Sequence, residues 1–177
     1  TIVAEVNAAN LTDGLDGLAS SVTLVYMLFM VAILTVMTTR ANQNGEVLQG
    51  TNYYSAAIFA VSIAGACLGF LRYNTYPARI FMGGTGSLAL GGAVSMVAIL
   101  SRSLIILPVM GFCFVASVGS VILQVVSSKL NKDKKLFKAA PIHRHFEVLG
   151  VPEPRIVAMY TLVTTVLCAI CLLPYLR

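Results

Sequence analysis

The sequence contains few charged residues for its length. Asp, Glu, Lys and Arg together make up 11% of the 177 residues, whereas hydrophobic residues make up 58%. Water-soluble domains carry about 25% charged residues, so this composition excludes an ordinary soluble core. A mean hydropathy of +0.86 instead predicts an all-α bundle of membrane helices.

Cysteine is also scarce, and its placement excludes a disulfide framework. All four cysteines lie inside apolar runs. Cys168 and Cys171 form a CxxC pair, but no second thiol pair or nearby histidine accompanies them, so we interpret them as apolar packing residues. No basic surface with interleaved aromatic residues is present, which argues against nucleic acid as a partner.

Five apolar segments are long enough, or nearly long enough, to cross a membrane as helices. About 17–25 residues are needed, and helices are expected because lipid offers no partner for free backbone groups. The segments are residues 18–37, 55–71, 88–100, 104–126 and 156–173. The third reaches 17 residues only when it is extended to 85–101. We therefore predict one membrane domain over residues 1–177 with five spans.

The basic residues predict the orientation of these spans. Nine of the twelve Lys and Arg residues lie in the loops 72–84 and 127–155, and basic loops stay in the cytoplasm. Five crossings then place residues 1–17 on the cytoplasmic side as well. Six of the seven carboxylates and both histidines fall on that side, so we expect the chemistry in cytoplasmic loops 5–17, 72–87 and 127–155.

Residues 10–17 of the first loop include one amide, Asn10, and two acids, Asp13 and Asp16. Asn10, Asp13 and Gly17 are spaced so that a helix would place them on one face. Such a group at a membrane surface could bind Mg²⁺ or orient a phosphate-bearing substrate. The alternative is a capped helix start, with Asp13 or Asp16 as the N-cap.

The second loop is rich in glycine, over residues 74–87. A glycine-rich turn that opens a helix exposes backbone N–H groups to an anion. The loop lacks the lysine of a Walker A motif, so a nucleotide triphosphatase is not expected. Phe81 is either an aromatic platform or an anchor at the membrane interface, and the turn itself could be only a tight connection.

The third loop is basic and ends in the sequence PIHRHFE, residues 141–147. Its five lysines are most simply a positive-inside anchor for the membrane spans. His143 and His145 flank Arg144, which suits a diphosphate better than a metal, since no third ligand is nearby. A solvated loop without function is the alternative.

Together the three loops resemble a known family. The strings NAANLTDGLDGLA (7–19), NTYPARIFMGGTGSLALGG (74–92), SVILQV (120–125) and APIHRHFEVLG (140–150) are similar to those of the phospho-N-acetylmuramoyl-pentapeptide transferases. These belong to the polyprenyl-phosphate N-acetylhexosamine-1-phosphate transferase superfamily, which shares the first two motifs. The PIHRHFE block and PEPR at 152–155 indicate the muramoyl branch.

The resemblance implies a reaction and a set of site residues. The family transfers phospho-MurNAc-pentapeptide from UDP-MurNAc-pentapeptide to undecaprenyl phosphate in the bacterial inner membrane, giving lipid I and UMP with Mg²⁺ as cofactor. By resemblance, Asp13 and His143 are catalytic, and Asp13 also contacts the metal. The substrate-binding residues implied in the same way are Asn10, Gly14, Leu15, Asp16, Asn74, Phe81, Arg144 and His145.

The chain departs from the family pattern at three positions. Gly84 stands where the family has the aspartate that is its principal metal ligand, Arg144 replaces a histidine, and Ser117 replaces a common glutamate. Losing a charged ligand should slow phosphoryl transfer by orders of magnitude.

The chain also lacks the family's amino-terminal half and begins with Thr1 without a signal peptide, so we expect the carboxy-terminal half of a larger enzyme. The resemblance leaves a homodimer open. Two further alternatives are a sister transferase that uses a UDP-GlcNAc-type sugar and an inactive nucleotide-binding variant.

Overall fold

The structure is a computed structural model that describes residues 2–130 and 136–176. The described chain is α-helical and contains no strand. Its eight helices are α1 (Ile2–Thr12), α2 (Leu18–Gln43), α3 (Val47–Asn74), α4 (Gly83–Leu100), α5 (Leu107–Met110), α6 (Phe112–Leu130), α7 (Ile142–Val148) and α8 (Glu153–Leu176). The predicted all-α fold is therefore confirmed.

Five helices are long and apolar enough to cross a membrane, namely α2, α3, α4, α6 and α8. The number of predicted spans is confirmed, including the short third one, which extends over 18 residues as α4. Many side chains on these helices remain exposed, and only 22–39% of each apolar window is buried inside the described chain. The chain is thus a multi-pass membrane protein.

The helix α2 lies at the centre of the bundle. It packs against α3 and α8, and its side chains Tyr26, Met27 and Met30 are fully buried. A left-handed glycine follows its carboxyl end, where Gly45 has φ +78° and Glu46 N donates to Ala41 O. This is a common way to stop a helix, and it turns the chain back into α3.

Alternating spans define two ends of the molecule. At one end, Arg40 of α2 donates to the Tyr175 carbonyl oxygen near the end of α8, at 2.8 Å. At the opposite end lie the α1–α2 turn (13–17), the α3–α4 loop (75–82) and α7. We call this opposite end the site end. Three lysines that were expected to mark its charge, Lys132, Lys134 and Lys135, fall outside the described residues.

Two predictions about segments were wrong in part. Residues 5–12 of the expected first loop are helical, because α1 continues to Thr12 and packs between α4 and α6. The expected span 104–126 begins only at Phe112. Pro108 sits in the first turn of the short helix α5, and Gly111 leaves the helical conformation with φ −89° and ψ +24°, so the chain bends before α6 starts.

The packing of α1 buries a carboxylate that sequence reasoning had placed in a cytoplasmic loop. Glu5 is 4% exposed, and its Oε1 has no hydrogen-bond partner among the described residues. Helix α4 approaches it closely, because a side chain at Gly91 would meet the backbone of Val6 and the Glu5 carbonyl oxygen. Small residues permit such close contacts between membrane helices.

Candidate active site

Segments that are far apart in sequence meet at the site end around a cavity of about 310 Å³. Its size is at the lower edge of the roughly 300–1,000 Å³ of small-molecule sites. The α1–α2 turn, the α3–α4 loop and α7 all contribute to it. The lining residues are Asp13, Gly14, Leu15, Asp16, Asn74, Phe81, Met82, Gly83 and Arg144.

The first wall of the cavity is the turn that ends α1. Asp13 N donates to Ala9 O at 3.1 Å, and Gly14 N donates to Thr12 O at 2.8 Å, so the chain leaves the helix there. Leu15 is 7% exposed and anchors the turn in the core. Gly17 then adopts φ +75°, which favours glycine, and it directs the chain into α2.

The second wall, the α3–α4 loop, is tied to the first by side chains. Asp16 Oδ2 accepts a hydrogen bond from Ala78 N at 2.9 Å. Asn74 is 4% exposed, and its Nδ2 donates to Ile80 O at 2.9 Å. Ser20 of α2 donates to Asn74 Oδ1 at 3.3 Å. Both ends of the Asn74 amide are therefore engaged, and they hold the backbone beside Phe81.

Phe81 is the aromatic residue of the cavity. It lines the space and yet is 73% exposed, so one ring face is available to a ligand. Two carboxylates and an arginine line the same cavity, which favours the aromatic platform over a simple membrane anchor. An exposed ring at such a site can stack on a nucleobase, because every base has a π-face.

Asn10 and Gly84 lie next to each other beside the cavity. Asn10 Nδ2 donates to Ser87 Oγ at 2.8 Å, which joins α1 to the first turn of α4. A Cβ built at Gly84 would meet only the Asn10 Nδ2, at 3.6 Å. That distance is an ordinary van der Waals contact, so a Cβ at position 84 would fit beside Asn10.

Helix α7 forms the third wall, but its three basic residues have different surroundings. Arg144 lines the cavity, is 46% exposed and pairs with Glu147 Oε2 at 2.8 Å. His143 is fully buried, and its imidazole Nε2 occupies the space that a side chain at Gly14 would need. His145 Nδ1 accepts a hydrogen bond from Lys138 N at 3.2 Å, away from the cavity lining.

Burial controls the titration of two of these groups. Burial raises the pKa of the Asp13 carboxyl above its ordinary value, because desolvation disfavours the charged form. A cation bound beside Asp13 would offset that cost. Burial also lowers the pKa of His143 to about 4, with a smaller contribution from the Arg144 charge. The imidazole is therefore neutral at physiological pH.

The donors that could hold Mg²⁺ are few. No group of three or more His, Cys, Asp or Glu side chains converges within residues 2–130 and 136–176. Asp13 lines the cavity, whereas one oxygen of Asp16 is occupied by Ala78 N. Because Mg²⁺ is often held by one or two carboxylates together with substrate phosphates and water, Asp13 fits an ion of that kind.

Most of the sequence-predicted site residues meet in the structure. Seven of the ten line the cavity, and they are Asp13, Gly14, Leu15, Asp16, Asn74, Phe81 and Arg144. Asn10, His143 and His145 do not, and the roles assigned to all ten stay predictions. The lining also includes Met82 and Gly83, which were not singled out although they belong to the predicted glycine-rich turn.

Fold and site together define a class of protein. A bundle of membrane helices carries at one end a cavity with an aromatic ring, two carboxylates and a cation, which is the setting for a transferase that acts at a membrane surface. Residues 1–102 match the family model for glycosyl transferase family 4. The match covers more than half of the chain, and the chain belongs to this family.

Curated relatives are similar over much of the chain. The phospho-N-acetylmuramoyl-pentapeptide-transferase of Clostridium perfringens (strain 13 / Type A) is 49% identical over 164 residues, which is 93% of this chain and 47% of the relative. The proteins of that name from Alkaliphilus oremlandii and Alkaliphilus metalliredigens are 52% and 49% identical over 118 residues, or 67% of this chain and 35% of each relative. The chain therefore spans a third to a half of the length of these relatives.

Proposed function

We propose that this chain forms the nucleotide-sugar side of an active site that makes lipid I. The reaction transfers phospho-MurNAc-pentapeptide from the UDP-sugar to undecaprenyl phosphate and releases UMP. The observation that carries the proposal is one shared cavity at the site end, which Phe81, Asp13 and Arg144 line from three separate segments. The names of the relatives supply the substrates.

The cavity residues have different roles in binding. Phosphoryl transfer needs little covalent help from the protein, mainly positioning and charge neutralisation. The ring of Phe81 stacks on the uracil, and the guanidinium of Arg144 pairs with the diphosphate, for which its planar donors are suited. Asp16 and Asn74 act on the protein itself, since their hydrogen bonds hold the loop that carries Phe81.

Asp13 is the residue that would hold Mg²⁺, in combination with the phosphates of the substrate. The ion, when bound, neutralises charge that develops on the transferred phosphate. The Asp13 carboxylate lies at the turn that ends α1, and its partial burial strengthens any interaction with a cation. The neighbouring Asn10 side chain donates its hydrogen bond to Ser87.

We also propose that the site end faces the cytoplasm from a bacterial inner membrane. Arg72, Arg79, Lys129, Lys138, Arg144 and Arg155 are the described basic residues at this end, whereas Arg40 and Arg102 are those at the other. This asymmetry follows the positive-inside rule. It also brings the cavity to the side on which soluble UDP-sugars are made.

The test is UMP release from UDP-MurNAc-pentapeptide and undecaprenyl phosphate, measured on the intact membrane-reconstituted enzyme. Stacking on an aromatic ring contributes about 1–3 kcal/mol for each base, so Phe81→Ala should raise the KM for the UDP-sugar by roughly tenfold or more. Phe59→Ala, which removes a half-exposed ring from the middle of α3, is the matched control. An unchanged KM in Phe81→Ala would refute the stacking role.

Gly84 favours a second candidate function, a nucleotide-binding protein that turns over slowly or not at all. The two candidates differ in their response to Gly84→Asp, which the local space accommodates. If the site is catalytic, the added carboxylate should raise Mg²⁺-dependent UMP release by orders of magnitude, whereas Gly84→Asn should not. Equal rates for glycine and aspartate would show that position 84 does not take part in metal binding. We expect the 177-residue chain alone to release no UMP.

A further inference from the structure

A second cavity lies at the site end, separate from the first. It measures about 290 Å³ and is lined by Arg72, Tyr73, Thr75, Tyr76, Pro77 and Arg79. It shares no lining residue with the candidate active site, although the loop between α3 and α4 contributes to both. The reaction proposed above uses none of its side chains.

The fold brings two arginines to this cavity. Arg72 belongs to the last turn of α3, and Arg79 follows seven residues later. The chain folds back between them, because Arg79 N and Ile80 N both donate to Tyr73 O, at 2.8 and 3.3 Å. Both guanidinium groups therefore belong to one concave surface, and both residues are exposed.

These two cations have no anionic partner in the part of the chain that the structure describes. The ion pair found there is Arg144 with Glu147, and Asp16, an acid that contacts this loop, accepts a hydrogen bond from Ala78 N. Two like charges on one surface repel each other unless an anion lies between them. Arginine suits a phosphate because its planar donors bind two oxygens at once.

The position of the cavity indicates where that phosphate comes from. It lies at the end of a membrane span, one turn beyond Leu68, an apolar side chain that is 63% exposed. Tyr73 and Tyr76 are 51% and 56% exposed beside the arginines, and tyrosines are enriched where a span leaves the hydrocarbon. A ligand here would contact both an apolar surface and two cations, as a phospholipid does.

We propose that the cavity between Arg72 and Arg79 binds the phosphate headgroup of an anionic phospholipid in the leaflet at the site end. The guanidinium groups hold the phosphate, the tyrosine hydroxyls donate to it or to the headgroup alcohol, and the acyl chains lie along the exposed apolar side of α3. Because Asp16 and Asn74 bind the same loop from its other side, an occupied cavity also restrains the segment 75–81.

The experiment is a titration of the delipidated protein in detergent with phosphatidylglycerol, followed by native mass spectrometry, with phosphatidylcholine and inorganic phosphate as parallel probes. A basic residue near an anionic headgroup contributes enough to change affinity by roughly fivefold. Arg72→Gln and Arg79→Gln should each weaken phosphatidylglycerol binding by about that factor, and the double variant by roughly 25-fold. Arg155→Gln, which removes one exposed charge from the same end of the molecule, should leave this binding event unchanged.

Three outcomes would overturn the proposal. The double variant could bind phosphatidylglycerol as tightly as the parent protein does. Phosphatidylcholine could bind with the same affinity and the same sensitivity to the arginines, which would remove the need for an anionic lipid. Inorganic phosphate alone could compete fully at equal concentration, which would make the site one for a free phosphate. Hydrogen exchange within residues 75–81 provides a second readout, and phosphatidylglycerol should slow it only in proteins that retain both arginines.

Discussion

Acidification should release α7 from the site end, because His143 is buried in its neutral form. Its pKa falls from the ordinary 6.5 to about 4, mainly through burial, and neither ring nitrogen has a hydrogen-bond partner among the described residues. A histidine whose pKa is lowered by docking stabilises the docked state fully when the pH is above its ordinary pKa of 6.5. This stabilisation is lost as the pH falls from 6.5 towards 4.

The size of the effect follows from the two pKa values. The difference between the two pKa values of His143 corresponds to roughly 3 kcal/mol in the free energy of docking. Between pH 7.5 and pH 5.5, linkage gives a loss of about 1.3 kcal/mol, or roughly a tenfold increase in the local opening equilibrium. The nearby Glu147 carboxylate opposes part of this shift, whereas Arg144 adds to it.

Hydrogen exchange read by mass spectrometry measures this opening directly. The helix α7 is short, and the protection of its first amide depends on docking, because Ile142 N donates to Ser120 Oγ of α6 at 2.9 Å. After correction for the intrinsic pH dependence of exchange, peptides that cover residues 142–148 should exchange about tenfold faster at pH 5.5 than at pH 7.5. Peptides from the middle of α2 should not change.

The chain offers a matched control, since its second histidine lies two residues further along the same helix. His143→Gln should remove the pH dependence at α7, whereas His145→Gln should leave it, because His145 is partly exposed and sits outside the buried contact with Gly14. If the His143→Gln protein keeps the full response to acid, the burial of this imidazole is not what holds α7 in place.

Three further substitutions test contacts at and below the site. Gly14→Ala places a methyl group against the His143 ring and should destabilise the site end by about 1–3 kcal/mol. Gly65→Ala, whose methyl group meets nothing within 4 Å, should not destabilise the protein. A lower melting temperature for Gly65→Ala than for Gly14→Ala would contradict this contact. Asp16→Ala should speed hydrogen exchange at the α3–α4 loop by about tenfold or more, since hydrogen bonds to charged groups contribute about 1.5–3 kcal/mol. Asp16→Asn, which retains an acceptor without the charge, should speed it less. Burial raises the pKa of Glu5 to about 7, and its Oε1 has no hydrogen-bond partner among the described residues. Above that pH, Glu5→Gln should raise the melting temperature by about 2–4 °C for each kcal/mol recovered, because it removes a buried charge; a lower melting temperature would show that Glu5 has an ionic role.

Much of the fold could be predicted from composition, and the reason is the solvent. Lipid forces each apolar segment to satisfy its own backbone, so length and hydropathy were enough to find α2, α3, α4 and α8. The sequence did not reveal the bend before α6, because Pro108 and Gly111 are individually tolerated in membrane helices. Here Gly111 leaves the helical conformation close to Glu5, and a Cβ added at this position would lie 3.4 Å from Glu5 Oε1.

The membership of the site was predictable for a related reason. The polar loops had to gather at one end of the bundle, and Asp13, Asn74, Phe81 and Arg144 do line one cavity there. What each side chain contacts was not predictable. The burial of His143 depends on Gly14, which is 129 positions away in the sequence, and local patterns carry no information about such a pairing.

The contacts also bear on the roles of several motif residues, because a polar atom that is already hydrogen-bonded within the protein is less available to a ligand. Asn74 Nδ2 donates to Ile80 O and its Oδ1 accepts from Ser20, so we expect any contribution of Asn74 to binding to act through the loop backbone beside Phe81. The Asp16 carboxylate does the same through Ala78. Phe81 and Arg144, by contrast, are exposed within the cavity lining. We therefore expect direct recognition of a ligand to depend on Phe81 and Arg144, whereas Asn74 and Asp16 hold the α3–α4 loop against the turn that carries Asp13.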